Sequence, residues 1–144
     1  MVTEHYHFTS HNNDKLYIFQ SVGAQGEITK MVRFTPIGRY RYNLGLADFE
    51  RGKMRYDLTS NNFDVVKTMS TVAEVIKHFT FKHLECEVVI MALEERRLNL
   101  YNAIFKRRAS EISKDFWIWG ISFDGSEEKY NPDKDYTGFI VKRK

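Results

Sequence analysis

The chain has 144 residues, of which 42% are apolar and 15% aromatic, with a net charge of +3 and a pI near 8.9. A chain of this length buries about two-thirds of its unfolded surface on folding, so a single domain over residues 1–144 is expected, and the composition excludes the disordered and low-complexity classes. Cys86 is the single cysteine, which excludes an internal disulfide. No window approaches the roughly 18 apolar residues of a spanning helix and the first residues carry no leader pattern, so a cytoplasmic chain without membrane contact is expected.

Lys15 to Val22 is rich in aromatic and aliphatic residues, Gly23-Ala24-Gln25-Gly26 supplies turn chemistry, and Glu27 to Thr35 resumes as a strand. Together they predict a hairpin. After the break at Pro36-Ile37-Gly38, Tyr40, Tyr42, Leu44 and Leu46 alternate with Arg39, Arg41, Asn43 and Gly45, the period of a half-buried strand. Arg51-Gly52-Lys53 turns the chain, and Met54, Tyr56 and Leu58 alternate with Arg55 and Asp57. The first 58 residues therefore predict a four-stranded antiparallel meander.

Ser60-Asn61-Asn62 offers helix-capping chemistry, and Asp64 is placed where the positive end of a helix dipole welcomes it. Val66, Met69, Val72, Ala73, Ile76 and Phe79 recur at three- and four-residue spacing and predict a helix from Asp64 to about Thr80, with those residues as its buried stripe. Cys86 to Ala92 is a strand apolar on both faces, Glu94-Glu95 open a second helix that runs to about Ser113, and Phe116 to Phe123 is another strand apolar on both faces. Asp124-Gly125-Ser126 is a turn, and Tyr136 to Lys142 is the last strand. The expected class is α+β: a meander of about four strands, then α-β-α-β-β, with two helices packed on one sheet.

Positive charge is concentrated. Seven basic residues against two acids lie between Lys30 and Arg55, and Lys142-Arg143-Lys144 adds a basic tail. In the second helix Leu93, Leu98, Leu100, Tyr101, Ile104, Phe105 and Ile112 share one arc, with Arg97 and Arg108 projecting into it. These arginines are about three turns, roughly 16 Å, apart and could hold two phosphates or one long anion; the plain alternative is that their stems lie along apolar surface while the guanidinium groups reach water or a carboxylate. Arg97 opposes the helix dipole unless an acid such as Glu94 compensates. In the meander, Arg39, Arg41 and Arg55 are expected to face outward, with Tyr17 and Phe19 able to join them, the aromatic-and-arginine mixture of RNA- and single-strand-binding sheets. The alternatives there are a solvated, charge-protected face or a dimer face.

Other chemistry has weaker support. Asp48, Asp57 and Asp64 lie near turns, and three carboxylates that converged could hold a magnesium ion; the plain alternative is a turn residue, a strand-end residue and a helix starter. Gly23-x-x-Gly26 is too short for a phosphate loop, Cys86 sits within a strand, and no Gly-x-Ser-x-Gly elbow occurs, so no catalytic residue, cofactor or metal is expected.

Asn43-Leu44-Gly45-Leu46-Ala47-Asp48, then Asn61-Asn62-Phe63-Asp64 with Thr71-Val72-Ala73, then Arg97 through Leu100-Tyr101 after a strand, resembles a bacterial family of unknown function over nearly the whole chain. The resemblance implies a strand, a Gly-Ser-Thr-like turn and an arginine-rich helix start of the type Arg-x-Arg-Leu-Tyr, and it implies no activity. Ala92-Leu93 stand where that turn would be, Asn99 replaces one arginine, and Phe63 replaces the glycine of an Asn-Asn-Gly-Asp turn. A Gly-Ser turn feeding a helix could cradle an anion, and its loss weakens that role here.

These readings predict a non-enzymatic binding module for an anionic partner, nucleic acid ahead of an acidic protein. Arg97, Arg108, Arg39, Arg41 and Arg55 would meet phosphate, and Tyr17 and Tyr101 would stack. The alternatives are an enzyme acting on a phosphorylated or carboxylated small molecule, with Arg97 as anchor and an aspartate as base, and a self-associating module that forms a homodimer through the outer sheet face or an edge strand.

Overall fold

The computed structural model describes residues 4–50, 53–55 and 64–144, and for residue 50 and residues 53–55 the backbone alone. The chain packs as two compact units: Met1–Thr35 with Leu44–Lys82, and Pro36–Asn43 with His83–Lys144.

The first unit is built on β1 (Phe8–His11), β2 (Leu16–Gly23), β3 (Gly26–Pro36), β4 (Arg41–Glu50) from Leu44 onward, β5 (Lys53–Arg55) and α1 (Val65–Lys82). Strands β1 to β4 are neighbours in chain order, and β5 pairs with β4. The predicted hairpin is β2 and β3, closed with Gly23 opposite Gly26, whose φ of 87° is open to glycine and strained for other residues. The meander also starts one strand earlier than expected. Asn12, Asn13 and Asp14 take left-handed φ values of 51°, 56° and 63°, which short polar side chains tolerate, and fold β1 back onto β2. On the other side β5 runs antiparallel to β4, while Tyr56, Asp57, Leu58 and the capping residues Ser60, Asn61, Asn62 and Phe63 lie outside the described residues.

The buried stripe of α1 is rotated from the expected one. Val72 and Phe79 are buried as predicted, but Thr68, Thr71, Val75 and Thr80 join them, whereas Val66 and Ala73 face outward. Apolar spacing alone passes over threonine. Yet Thr71 and Thr80 donate their hydroxyls to the carbonyls of Lys67 and Ile76, each at 2.7 Å, so their polar atoms are satisfied within the helix and their methyl groups can be buried. Phe79 stacks on Phe34 of β3 with centroids 3.9 Å apart, and Tyr17 of β2 meets Phe34 edge-on.

The second unit contains the start of β4, then β6 (Glu87–Met91), α2 (Glu95–Ile112), β7 (Phe116–Ile121), β8 (Glu127–Lys129) and β9 (Gly138–Arg143). Its strand order is β6-β9-β7-β8, with β9 antiparallel to both β6 and β7. The last strand thus inserts between the two strands that α2 connects, and the short β8, unanticipated as a strand, closes a hairpin on β7. Phe105 of α2 stacks on Phe139 of β9 at 4.1 Å, which defines the helix-covered face; Val88, Ile90, Val141 and Ile118 share it by alternation. Gly120 is required on that face because a Cβ there would lie 2.4 Å from the ring of the fully buried Tyr136. On the opposite face Val89, Ile121 and Ile140 pack with Trp119 as a small second core.

Candidate nucleic-acid interface

Of the residues singled out from the sequence, Tyr17, Arg97 and Tyr101 are buried. Arg97 occupies the first turn of α2 and is only 7% exposed, one helical turn from Tyr101, which is also buried. Burial raises the Tyr101 phenol above its ordinary value while Arg97 pulls it the other way, so these two are brought together, but inside the unit. Arg108 is half-buried and pairs with Glu111 at 3.3 Å. Arg39 is exposed with its guanidinium 5.2 Å from the Tyr40 ring centroid. Tyr17 is completely buried beside Phe34 and Phe8, with its hydroxyl 2.8 Å from Nδ1 of His78; burial pushes the phenol up, and the ring has no face open to a base. The Arg55 side chain lies outside the described residues.

The aspartates are held by the protein's own donors. Lys30 Nζ is 2.6 Å from Asp48 Oδ1, and both side chains are buried. Asp64 accepts hydrogen bonds from the hydroxyls of Tyr6, at 2.6 Å, and Ser21. Burial works to raise the Asp64 carboxyl, but these hydroxyls and the Lys30 ammonium outweigh it and hold the group below its ordinary value. Asp57 lies outside the described residues.

What sequence reasoning missed is the face of the second unit turned away from α2. Alternation along β7 puts Trp117 and Trp119 on that face, about 6.8 Å apart along the strand. Trp117 is 52% exposed. Lys142 of β9 is its direct cross-strand neighbour, and Lys129 of β8 stands opposite Trp119. The peptide N–H of Lys144 donates to the Asp115 carbonyl at 2.9 Å, which holds the last residue beside β7 and sets its ammonium 4.4 Å from the Trp117 ring centroid. Neither Lys142 nor Lys144 forms an ion pair with a described residue. The signal in the sequence was the Trp-x-Trp of Phe116-Trp117-Ile118-Trp119; what joins it to the Lys142-Arg143-Lys144 tail is the insertion of β9 next to β7, which no local pattern encodes.

Arg41 borders the same face. Its Nε donates to Glu87 of β6 at 2.9 Å, and its Nη1 and Nη2 grip Glu127 of β8 at 2.8 and 3.1 Å. The fork holds the Glu127 carboxyl below its ordinary value. Strands β6 and β8 are three inter-strand steps apart, about 14 Å in a flat sheet. One guanidinium reaches both, so these strands curl toward each other on the side turned away from α2.

Each unit thus lays one helix against antiparallel strands, which defines a mixed α+β protein, and in the second unit the face turned away from α2 carries the exposed Trp117 with Lys142 beside the buried Val89, Ile121 and Ile140. Among the described residues no helix is long and apolar enough to cross a membrane. The chain belongs to a family of unknown function, DUF6934, whose model matches residues 2–144. Neither the curated proteins nor the solved structures give a match.

Proposed function

We propose that this protein is a binding module for single-stranded nucleic acid, in which Trp117 and Trp119 stack bases and Lys142, Lys144 and Lys129 meet phosphate. The observation that carries the reading is the half-exposed Trp117 ring with Lys142 beside it and the Lys144 ammonium 4.4 Å from its centroid. The Lys144 ammonium rests on the ring as a cation–π contact, and a base that brings its own phosphate offers a partner to both the ring and the ammonium. A base stacking on Trp117 would displace the Lys144 ammonium toward that phosphate. Stacking of this kind contributes about 1–3 kcal/mol per base and tolerates any base, because each has a π-face.

Spacing favours a single strand. Duplex bases follow each other every 3.4 Å along a strand, about half the distance between successive same-face residues of β7, so two neighbouring bases reach both indoles only when unstacked. An acidic peptide would use the lysines and have little use for the rings, which separates the two partner classes. Fluorescence anisotropy of a labelled oligonucleotide of about eight nucleotides, within the usual footprint of such surfaces, tests the reading. Trp117→Ala should weaken binding about tenfold, the loss of roughly 1.4 kcal/mol of stacking. Each of Lys142→Ala and Lys144→Ala should lower the salt slope by about 0.7. Equal binding by Trp117→Ala and the native protein rejects base stacking; a preference for an acidic peptide assigns the lysines to a protein partner instead.

A further inference from the structure

We infer that Arg41 is a further phosphate-binding residue of this interface and that Glu127 occupies it as a built-in competitor; the inference rests on the nucleic-acid reading above. The two-pronged contact of Arg41 with Glu127, Nη1 at 2.8 Å and Nη2 at 3.1 Å, is the geometry with which a guanidinium also grips two phosphate oxygens. The third contact is different in kind. Glu87 takes Nε at 2.9 Å and lies 2.8 Å from Nη2, so it aims the fork and shares Nη2 with Glu127, while Nη1 is turned to Glu127 and is the donor another anion would take over.

Position links the fork to the stacking surface. Glu87, Lys142 and Trp117 form one cross-strand row over β6, β9 and β7, and Arg41 holds the first member of that row. A strand stacked on Trp117, with one phosphate on Lys142, would lead its next phosphates toward Arg41. The exchange needs no unfolding, because the Arg41 and Glu127 side chains are 33% and 41% exposed. Glu127 also begins a three-residue strand at the end of the sheet order, next to the Asp124-Gly125-Ser126 turn, so its carboxylate can swing away without disturbing a long ladder. Entering phosphate replaces one carboxylate for another anion at the same two donors, and the freed Glu127 becomes hydrated.

The experiment measures oligothymidylate binding by anisotropy, at fixed salt and over a salt series, for native protein, Glu127→Gln, Arg41→Lys, Arg41→Ala combined with Glu127→Gln, and Trp117→Ala. An exposed ion pair contributes up to about 1 kcal/mol, so removing the competitor should tighten binding about three- to fivefold. Arg41→Ala should abolish that gain when combined with Glu127→Gln and reduce the salt slope by about 0.7 relative to Glu127→Gln alone. Arg41→Lys keeps the charge and loses the fork, and should retain the slope while losing affinity. If Glu127→Gln binds no more tightly than native protein while Trp117→Ala binds weakly, the competitor role is overturned and the stacking surface stands. If Trp117→Ala and native protein bind alike, the nucleic-acid reading itself fails and this inference with it.

Discussion

Replacing Asn102 by alanine tests how the second unit is held together. The Asn102 side chain acts as a short strand partner for Tyr136: its Oδ1 accepts from the Tyr136 N–H at 2.9 Å, and its Nδ2 donates to the Tyr136 carbonyl at 2.9 Å. The second Nδ2 hydrogen serves the Leu98 carbonyl one turn back at 3.1 Å. Tyr136 is fully buried, so alanine would strand both its backbone groups away from water. Each unsatisfied group costs about 1–3 kcal/mol, and a water entering the space left by the amide would recover part of that, so we expect a loss of about 2–4 kcal/mol. Urea unfolding followed by circular dichroism reads this as a lower midpoint at unchanged slope. Asn102→Asp, which keeps size and acceptor but loses the amide donor, should fall in the same range. A loss below about 1 kcal/mol for alanine would refute the reasoning, because Tyr136 would then be paired by something other than Asn102.

Other perturbations have equally definite outcomes. Gly120→Ala forces a Cβ to within 2.4 Å of the Tyr136 ring, and thermal melting should show a loss of about 1–3 kcal/mol from overpacking. Lys30→Met leaves the buried Asp48 carboxylate without its ammonium and should cost about 3–5 kcal/mol, whereas Lys30→Met combined with Asp48→Leu should recover most of it; unfolding free energies of the three variants check this. Because the Asp64 carboxyl is held below its ordinary value, its contribution to stability is complete above the ordinary carboxylate range and is lost as pH falls through the folded-state value. Tyr6→Phe should therefore flatten the acid limb of a melting-temperature profile relative to native protein, and an unchanged limb would remove Asp64 as its source.

How much was legible depended on the range of the signal. The Gly23-to-Gly26 hairpin, the α1 helix and the paired apolar runs of β6 and β7 follow from patterns within a dozen residues, and each is present. β1 was missed because Phe8-Thr9-Ser10-His11 is short and polar, although Asn12-Asn13-Asp14 announces a turn by its tolerance of left-handed backbone. The α1 face was misjudged because threonine can hide its hydroxyl in its own helix, which a count of apolar residues ignores.

The candidate interface was less legible, for a topological reason. Arg41 alternates correctly with its apolar neighbours, yet its partners Glu87 and Glu127 are 46 and 86 residues away, so nothing local marks it as engaged. Arg97 and Arg108 stand out in the sequence on an apolar arc; Arg97 is buried there and Arg108 is half-buried beside Glu111. Trp117 and Lys142 are adjacent only because β9 enters between β6 and β7.

The claim on which the account turns is that the Trp117 face receives stacked bases, and the intrinsic fluorescence of the native protein reports on it directly. Titration with oligothymidylate at low salt should quench tryptophan emission to saturation, and the midpoint should move to higher concentration as salt rises, with a slope of about 0.7 for each phosphate contacted. Emission that does not change on addition of oligonucleotide, or a midpoint indifferent to salt, would contradict the account.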